Sequence, residues 1–438
     1  MTTPICDFLK QYAEADVLRL HMPGHKGRGK LGVEQYDITE VSGADSLYEA
    51  AGIIRESEEN ASKLFGCPTF YSAEGSSLAI RAMVYLAMRH ARAQGKVPKI
   101  AAGRNAHKVF LSAVMLLDVD VAWIAGDSYL SCKIDGEALE KVIEAERPTA
   151  VYVTSPDYLG NITDIGAMAE VAHRHGCLLL VDNAHGAYLK FLAPSMHPLD
   201  LGADLCADSA HKTLPVLTGG AYLHIVGEHK DLVRQAKTAL ALFGSTSPSY
   251  LIMQSLDAAN AILDGGYREE LAEFAAHYEA MKSRLTGWGI VGTEPLKLTI
   301  ETKPMGYYGT EVARILREQG IEGEFADPDY VVFMFAPEIG QEGLHRLEQA
   351  LMSIPAKTPI LEASPKFHLP ERALPIRVAA FSESEVIPAA ESLGRILASP
   401  TVGCPPAVPV VACGERIDED AMACFRYYGI GTCTVVTK

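Results

Sequence analysis

Three short stretches carry residue types that could act together chemically. Lys212 lies in Ser209-Ala210-His211-Lys212-Thr213, among apolar residues and glycines and just past a strand-like run. A lysine amine that is desolvated beside cationic neighbours has a lowered pKa and becomes a candidate for Schiff-base chemistry, although most lysines are solvated surface groups. Asp182 ends the apolar run Leu178–Val181 and opens Asp182-Asn183-Ala184-His185. A carboxylate there needs a cation, a metal or a protonated ring nitrogen as its partner, unless it serves as an N-cap or turn residue. Glu74-Gly75-Ser76-Ser77 opens a long helical pattern. Gly75 lets the backbone approach a ligand closely, exposed N–H groups point outward, and the helix dipole favours a phosphate; the plainer alternative is a serine N-cap. Ser209 and His211 can add hydrogen bonds to the same anion.

Each feature alone is weak, but together they define one chemistry. A phosphate cradle, a carboxylate for a ring nitrogen and a Schiff-base lysine are what pyridoxal phosphate requires. A metal centre would recruit His107, His185 or His211, yet no pair of them has the spacing of a local ligand motif, so no metal is expected. Gly24 to Lys30 fits the phosphate-loop pattern G-x-x-x-x-G-K, but Leu31 stands where a metal-binding hydroxyl is needed. Pro23 and the surrounding glycines predict an irregular loop instead, and no G-x-G-x-x-G follows a strand.

The elements that must position these residues follow a strand and helix rhythm from about residue 60. Helices are expected over 57–65, closed by Gly66, and over 76–94, stopped by Gly95. Strands are expected over 119–124, 149–154, 178–182 and 203–207, with helices over 136–145 and 164–175. That alternation predicts a mostly parallel, doubly wound α/β sheet, in which ligands bind beyond the carboxyl ends of the strands. From about residue 270 a long polar helix, 267–285, leads into a smaller α+β region with strands at 296–300 and 330–335 and helices at 311–319 and 343–354. The expected organisation is an N-terminal arm over 1–58, a large cofactor-binding domain over 59–270 and a small domain over 271–438. The stretch around Cys404-Pro405-Pro406 is expected to wrap over a surface.

Composition narrows the function classes. The 438 residues allow a substantial core, and the formal charge of −16 disfavours a nucleic-acid binder and mildly suits a cationic ligand. No apolar run approaches the roughly 18 residues of a membrane helix, and the opening residues lack the pattern of a secretory signal. A cytoplasmic location is expected. The nine cysteines form no Cys-x-x-Cys pair and imply neither a disulfide framework nor a zinc site.

The sequence also resembles the Orn/Lys/Arg decarboxylases of the aspartate-aminotransferase fold, or fold type I. The resemblance rests on MPGHKG (22–27), YDITEVSGADSLYEAAGIIRESE (36–58), GRNAHK (103–108), VTSPDYLGNITDI (153–165), VDNAHGA (181–187), ADSAHKTLPVLTGGAYLHI (207–225), STSPSY (245–250) and LGRILASPTVGCPPAVPVVACGERI (393–417). It implies that Lys212 holds pyridoxal 5′-phosphate as a Schiff base, that Asp182 pairs with the ring nitrogen, and that His107 stacks on the ring with His185 beside it. Gly75, Ser76, Ser77, Ser209 and His211 would hold the phosphate. Relatives act as homodimers or larger assemblies with active sites at the subunit interface, so Ser245 or Thr246 would reach a partner's phosphate. Either Lys212 or His211 would return a proton after carbon dioxide leaves. Asp45, Glu49 and Glu324 are candidates for the distal cation of an arginine, lysine or ornithine substrate.

The chain departs from the family pattern in several places. Asn183 stands where an acid is usual, Glu74 enters the cradle, and Gly219 replaces a polar residue. The closing PPG and PGE patterns read Pro405-Pro406-Ala407 and Cys413-Gly414-Glu415, and the wing domain of the large bacterial members is missing. An aminotransferase or other amino-acid lyase is the alternative within the same cofactor class, with Arg372 the candidate for binding the α-carboxylate. A noncatalytic, cofactor-bound regulatory protein is the alternative outside it.

Overall fold

A computed structural model describes residues 1–438 except 127, 130, 132, 404–408 and 438. The proline-punctuated stretch from Cys404 to Ala407 lies outside the described residues. Two compact units divide the chain: Met1–Lys96 with Leu178–Glu270, and Val97–Cys177 with Leu271–Lys438. The principal strands are β1 (Thr69–Ser72), β2 (Lys99–Gly103), β3 (Asp120–Ile124), β4 (Ala150–Thr154), β5 (Leu178–Asp182), β6 (Leu205–Asp208) and β7 (Ala221–Ile225). Among the described residues no helix is long and apolar enough to cross a membrane.

In the first unit the strand order is β1-β7-β6-β5. β5 and β6 are parallel, with Val181 opposite Cys206 and Asp182 opposite Ala207. β7 runs antiparallel to both β6 and β1. Consequently β1, β5 and β6 point the same way and their carboxyl ends share one edge. All five residues of β5 are buried, as expected of a strand covered on both faces rather than one. Helix α1 (Pro4–Glu14), α2 (Ile53–Phe65) and α3 (Gly75–Ala93) belong to this unit. Gly66 ends α2 in the left-handed conformation, φ +75°, which costs a glycine little.

Two buried carboxylates seat the N-terminal residues. Asp257 Oδ2 accepts the N–H groups of Ile5 at 2.9 Å and Cys6 at 3.0 Å, at the start of α1. Asp45 accepts those of Ala51, Gly52 and Ile54 at 3.0, 2.7 and 3.1 Å, at the start of α2. Burial alone would raise the Asp45 carboxyl, but these backbone donors hold it below its ordinary value. Residues 17–46 contain neither strand nor helix, so the phosphate-loop look-alike at 24–30 has none of the flanking elements that motif needs.

In the second unit β2 pairs in parallel with both β3 and β4. A four-stranded antiparallel sheet follows, in the order Phe325–Ala326, Tyr330–Met334, Lys297–Glu301, Gly289–Val291, with helices Gly309–Glu318 and Gly340–Met352. One buried ion pair draws distant sequence together here. Arg104 Nη1 and Nη2 each donate to Glu415 at 2.6 Å, both side chains being buried, and the guanidinium lies 4.9 Å from the Trp123 ring centroid. Glu415 also takes the N–H of Ala412 at 2.7 Å. The motif containing His107 and the closing segment thus share an anchor. Glu415→Ala should cost about 3–5 kcal/mol by leaving a buried guanidinium unpaired, whereas Arg104→Met with Glu415→Leu should cost less than either single change. Urea unfolding of the three variants measures both.

Candidate active site

The predicted residues of the first unit gather at the shared carboxyl edge of β1, β5 and β6. Asp182 is the last residue of β5 and is 2% exposed; its Oδ1 accepts the N–H of Ala184 at 3.2 Å. His185, on the same turn, is buried. Its Nε2 lies 2.9 Å from Lys212 Nζ, so the ammonium donates to a neutral imidazole. Lys212 sits in the single helical turn Ala210–Thr213. The residue is exposed in the single chain, so the first unit does not itself supply the desolvation expected of this amine. What it supplies is the His185 ring.

The cradle forms where β1 meets α3. Gly75 has φ +71°, and a Cβ added to it would meet nothing within 4 Å, leaving open space beside the backbone. Its N–H donates to the carbonyl of Gly219 at 2.7 Å. Ser209 Oγ donates to Ser76 Oγ at 2.7 Å, joining the end of β6 to the first turn of α3. The N-cap Glu74 makes no side-chain capping bond, and no acid occupies the first turn. Instead the Glu74 carboxylate accepts the N–H of Ser245 at 2.5 Å, which brings the exposed Ser245–Thr246 segment to the cradle. Gly219 has a structural reason of its own: at φ +102° a Cβ would lie 2.9 Å from Ile252 Cδ1 and 3.2 Å from the Ala73 carbonyl.

This donor set fits a phosphorylated pyridine aldehyde. The first turn of α3 beyond Gly75 and the Ser76, Ser77 and Ser209 side chains would offer donors to an anion, a buried carboxylate suits a ring N–H, and a lysine stands beside a histidine. His211 fits less well as a phosphate donor. Its Nδ1 donates to the Gly220 carbonyl at 3.0 Å, so in the neutral ring Nε2 is an acceptor. His107 follows β2 in the second unit, where it caps the helix Lys108–Leu117, its Nδ1 accepting the Val109 N–H at 3.2 Å. Asp45 is committed to capping α2. Glu324 accepts the Tyr158 hydroxyl at 3.1 Å within the second unit.

Sequence reasoning missed a polar cluster beneath the site. Asp208, the last residue of β6, is fully buried together with His197 and His224. Its Oδ2 faces His197 Nε2 at 3.0 Å and His224 Nε2 at 3.2 Å, and its Oδ1 accepts Asn183 Nδ2 at 2.8 Å and Cys206 Sγ at 3.3 Å. The three ligand-type side chains stand close enough to suggest a metal site. However, His197 Nδ1 accepts the N–H of Leu199 at 3.4 Å, so the proton sits on Nε2 and points at Asp208, as in a hydrogen-bonded cluster. The available signal was an acid in the apolar run Leu205–Ala210 and a histidine inside the apolar strand β7.

Comparison with known proteins identifies the family. The Orn/Lys/Arg decarboxylase major domain matches residues 3–287. An arginine decarboxylase of Bacillus subtilis is 30% identical, with 95% of this chain and 92% of that protein covered. One from Halalkalibacterium halodurans is also 30% identical, with 97% and 93% covered. Among solved structures, the lysine decarboxylase of Francisella novicida superposes with a TM-score of 0.81 at 18% identity, covering 99% of this chain and 81% of that one. The constitutive lysine decarboxylase of Escherichia coli gives 0.77 at 18% identity, covering 100% and 82%. At such identity the superpositions speak for the fold alone, a fold type I α/β architecture. With the matched domain spanning more than half the chain, and with a lysine, a buried carboxylate and a serine cradle on one strand edge, the protein belongs to the Orn/Lys/Arg decarboxylase family of pyridoxal-phosphate-dependent enzymes.

Proposed function

We propose that the enzyme releases the α-carboxylate of a basic amino acid as carbon dioxide, with arginine as first substrate and lysine and ornithine as alternatives. The products would be agmatine, cadaverine or putrescine, amines of polyamine synthesis. The observation that carries this reading is the meeting of Lys212 with His185 on the turn after Asp182, in a chain with two arginine decarboxylases among its relatives.

Bound pyridoxal phosphate supplies a carbonyl that takes up the substrate amine and a ring that accepts the electrons of the breaking bond. Gly75, Ser76, Ser77 and Ser209 hold the phosphate, with Ser245 or Thr246 reaching that of a second copy. Asp182 keeps the ring nitrogen protonated, an electrostatic contribution of the kind that dominates such catalysis. Lys212 is the attachment point, and its Nζ then carries a proton to the carbon that the carboxylate has left, with His185 Nε2 as the neighbouring acceptor that steers it. Lys212 is preferred to His211 for this step because His211 Nδ1 is tied to the Gly220 carbonyl.

The aminotransferase alternative loses its arginine: Arg372 binds Asp120 and the carbonyl of Val121. We further propose a cytoplasmic homodimer. Leu18, Leu20, Met22 and Leu31 expose apolar surface around the MPGHKG segment, which suits burial against a second copy.

Carbon dioxide release measured across arginine, lysine, ornithine and neutral amino acids should be confined to the basic ones; release from none, with keto-acid formation, would favour the aminotransferase. The purified protein should show a visible Schiff-base band that borohydride fixes on Lys212, and Lys212→Ala should lack both. Asp182→Ala should lower kcat by about 100-fold or more.

A further inference from the structure

Asn183 pins the turn from which Asp182 and His185 project. Its N–H donates to the carbonyl of Ala207 at 3.0 Å, its own carbonyl accepts the N–H of Gly186 at 2.8 Å, and its side-chain Nδ2 donates to Asp208 Oδ1 at 2.8 Å. A Cβ on Gly186 would fall 2.0 Å from Asn183 Oδ1, so the amide has little room to move. The first two bonds are backbone contacts that many residues could make. The third is specific to an amide facing an acid.

Asp208 in turn has fixed partners. His197 presents Nε2–H to its Oδ2, and His224 Nε2 faces the same oxygen at 3.2 Å. Burial would raise the Asp208 carboxyl, but the two facing imidazoles outweigh it and hold it well below the usual carboxylate range. One oxygen of Asp208 therefore faces both rings, and the other takes the Asn183 amide and the weak Cys206 donor.

We infer that Asn183 and Asp208 form an acid–amide pair that positions the Asp182–His185 turn for the cofactor, and that the buried negative charge of the pair resides on Asp208. The inference rests on the pyridoxal-phosphate reading of Lys212 and Asp182. Asp208 touches neither cofactor nor substrate in this scheme; it is a positioning residue acting through Asn183.

Reversing the pair tests it. In Asn183→Asp two carboxylates meet across a 2.8 Å contact. Adding Asp208→Asn restores a donor opposite an acceptor, with the new amide oxygen facing the imidazoles and its NH2 group facing residue 183. Pyridoxal phosphate is titrated into each full-length variant and followed by its visible band, with thermal unfolding of the cofactor-free protein recorded in parallel. Asn183→Asp should weaken cofactor binding by about tenfold or more, and the double variant should recover about tenfold over it, the scale of a charge-assisted hydrogen bond. An Asn183→Asp protein that binds as tightly as wild type overturns the inference. So does a double variant no better than Asn183→Asp, in binding or in solubility, or a shift in melting temperature with cofactor affinity unchanged. A wild-type protein with no visible band sinks the Schiff-base reading itself, whereas a wild-type band with an unrescued double variant sinks only this pair.

Discussion

A carboxylate taken fully out of water must be surrounded by donors or it will not stay ionised. Asp208 meets that demand with two imidazoles, an amide and a thiol, and much of the first unit is arranged around it. The donors come from β6 itself, from β7, from the turn after β5 and from the loop before β6. Four pieces of chain that could otherwise slide past one another are therefore held to a common centre. Ser209, the residue after this acid, reaches Ser76 on α3. The cradle and the lysine turn inherit their alignment from a group that touches neither. This also gives a physical setting for Asn183: the amide has an acid as its partner.

The second unit uses a related device. Arg104 and Glu415 form a two-pronged, buried contact, and the planar guanidinium also lies against Trp123. A lysine could make neither the paired bonds nor the ring contact. The geometry accounts for two sequence stretches, GRNAHK and CGERI, that show no relation until they are folded.

What was legible in the sequence was whatever repeats at short range. The buried run Leu178–Asp182 reads as a strand because nothing in it alternates, and the helix 75–93 reads from its periodicity and its terminal glycine. Lys212, Asp182 and the Gly75 cradle were legible because each sits at the punctuation between two such elements. Strands β1, β2 and β7 were not anticipated. Thr69–Ser72 is too short to show a pattern, Lys99–Gly103 is built of small residues, and Ala221–Ile225 follows a glycine pair that reads as loop. The bonds of Asp208 and Asp45 were not legible for a different reason. Their roles lie in bonds to residues distant in sequence or to backbone N–H groups, which leave no trace in residue type. Asp45 is an acid in the stretch 36–58, and nothing in that residue type announces the backbone N–H groups at the start of α2 that it accepts.

The discontinuity of the first unit has a consequence for the order in which the chain can be made. Residues 1–96 leave the ribosome before residues 178–270, yet β1 pairs with β7 at Ala221–Ile225 and the start of α1 is held by Asp257. At synthesis rates of about 5–20 residues per second, the interval between making Ile5 and Asp257 is roughly 10–50 s. Throughout it the start of α1 can meet α2 but lacks Asp257, the carboxylate that accepts its first N–H groups, and the helix Tyr250–Asp264 that carries it. The second unit's residues 97–177 emerge in the meantime and await their own completion by the last third of the chain. The nascent protein thus carries two half-built cores at once, so this architecture favours chaperone cover early in translation over domain-by-domain folding.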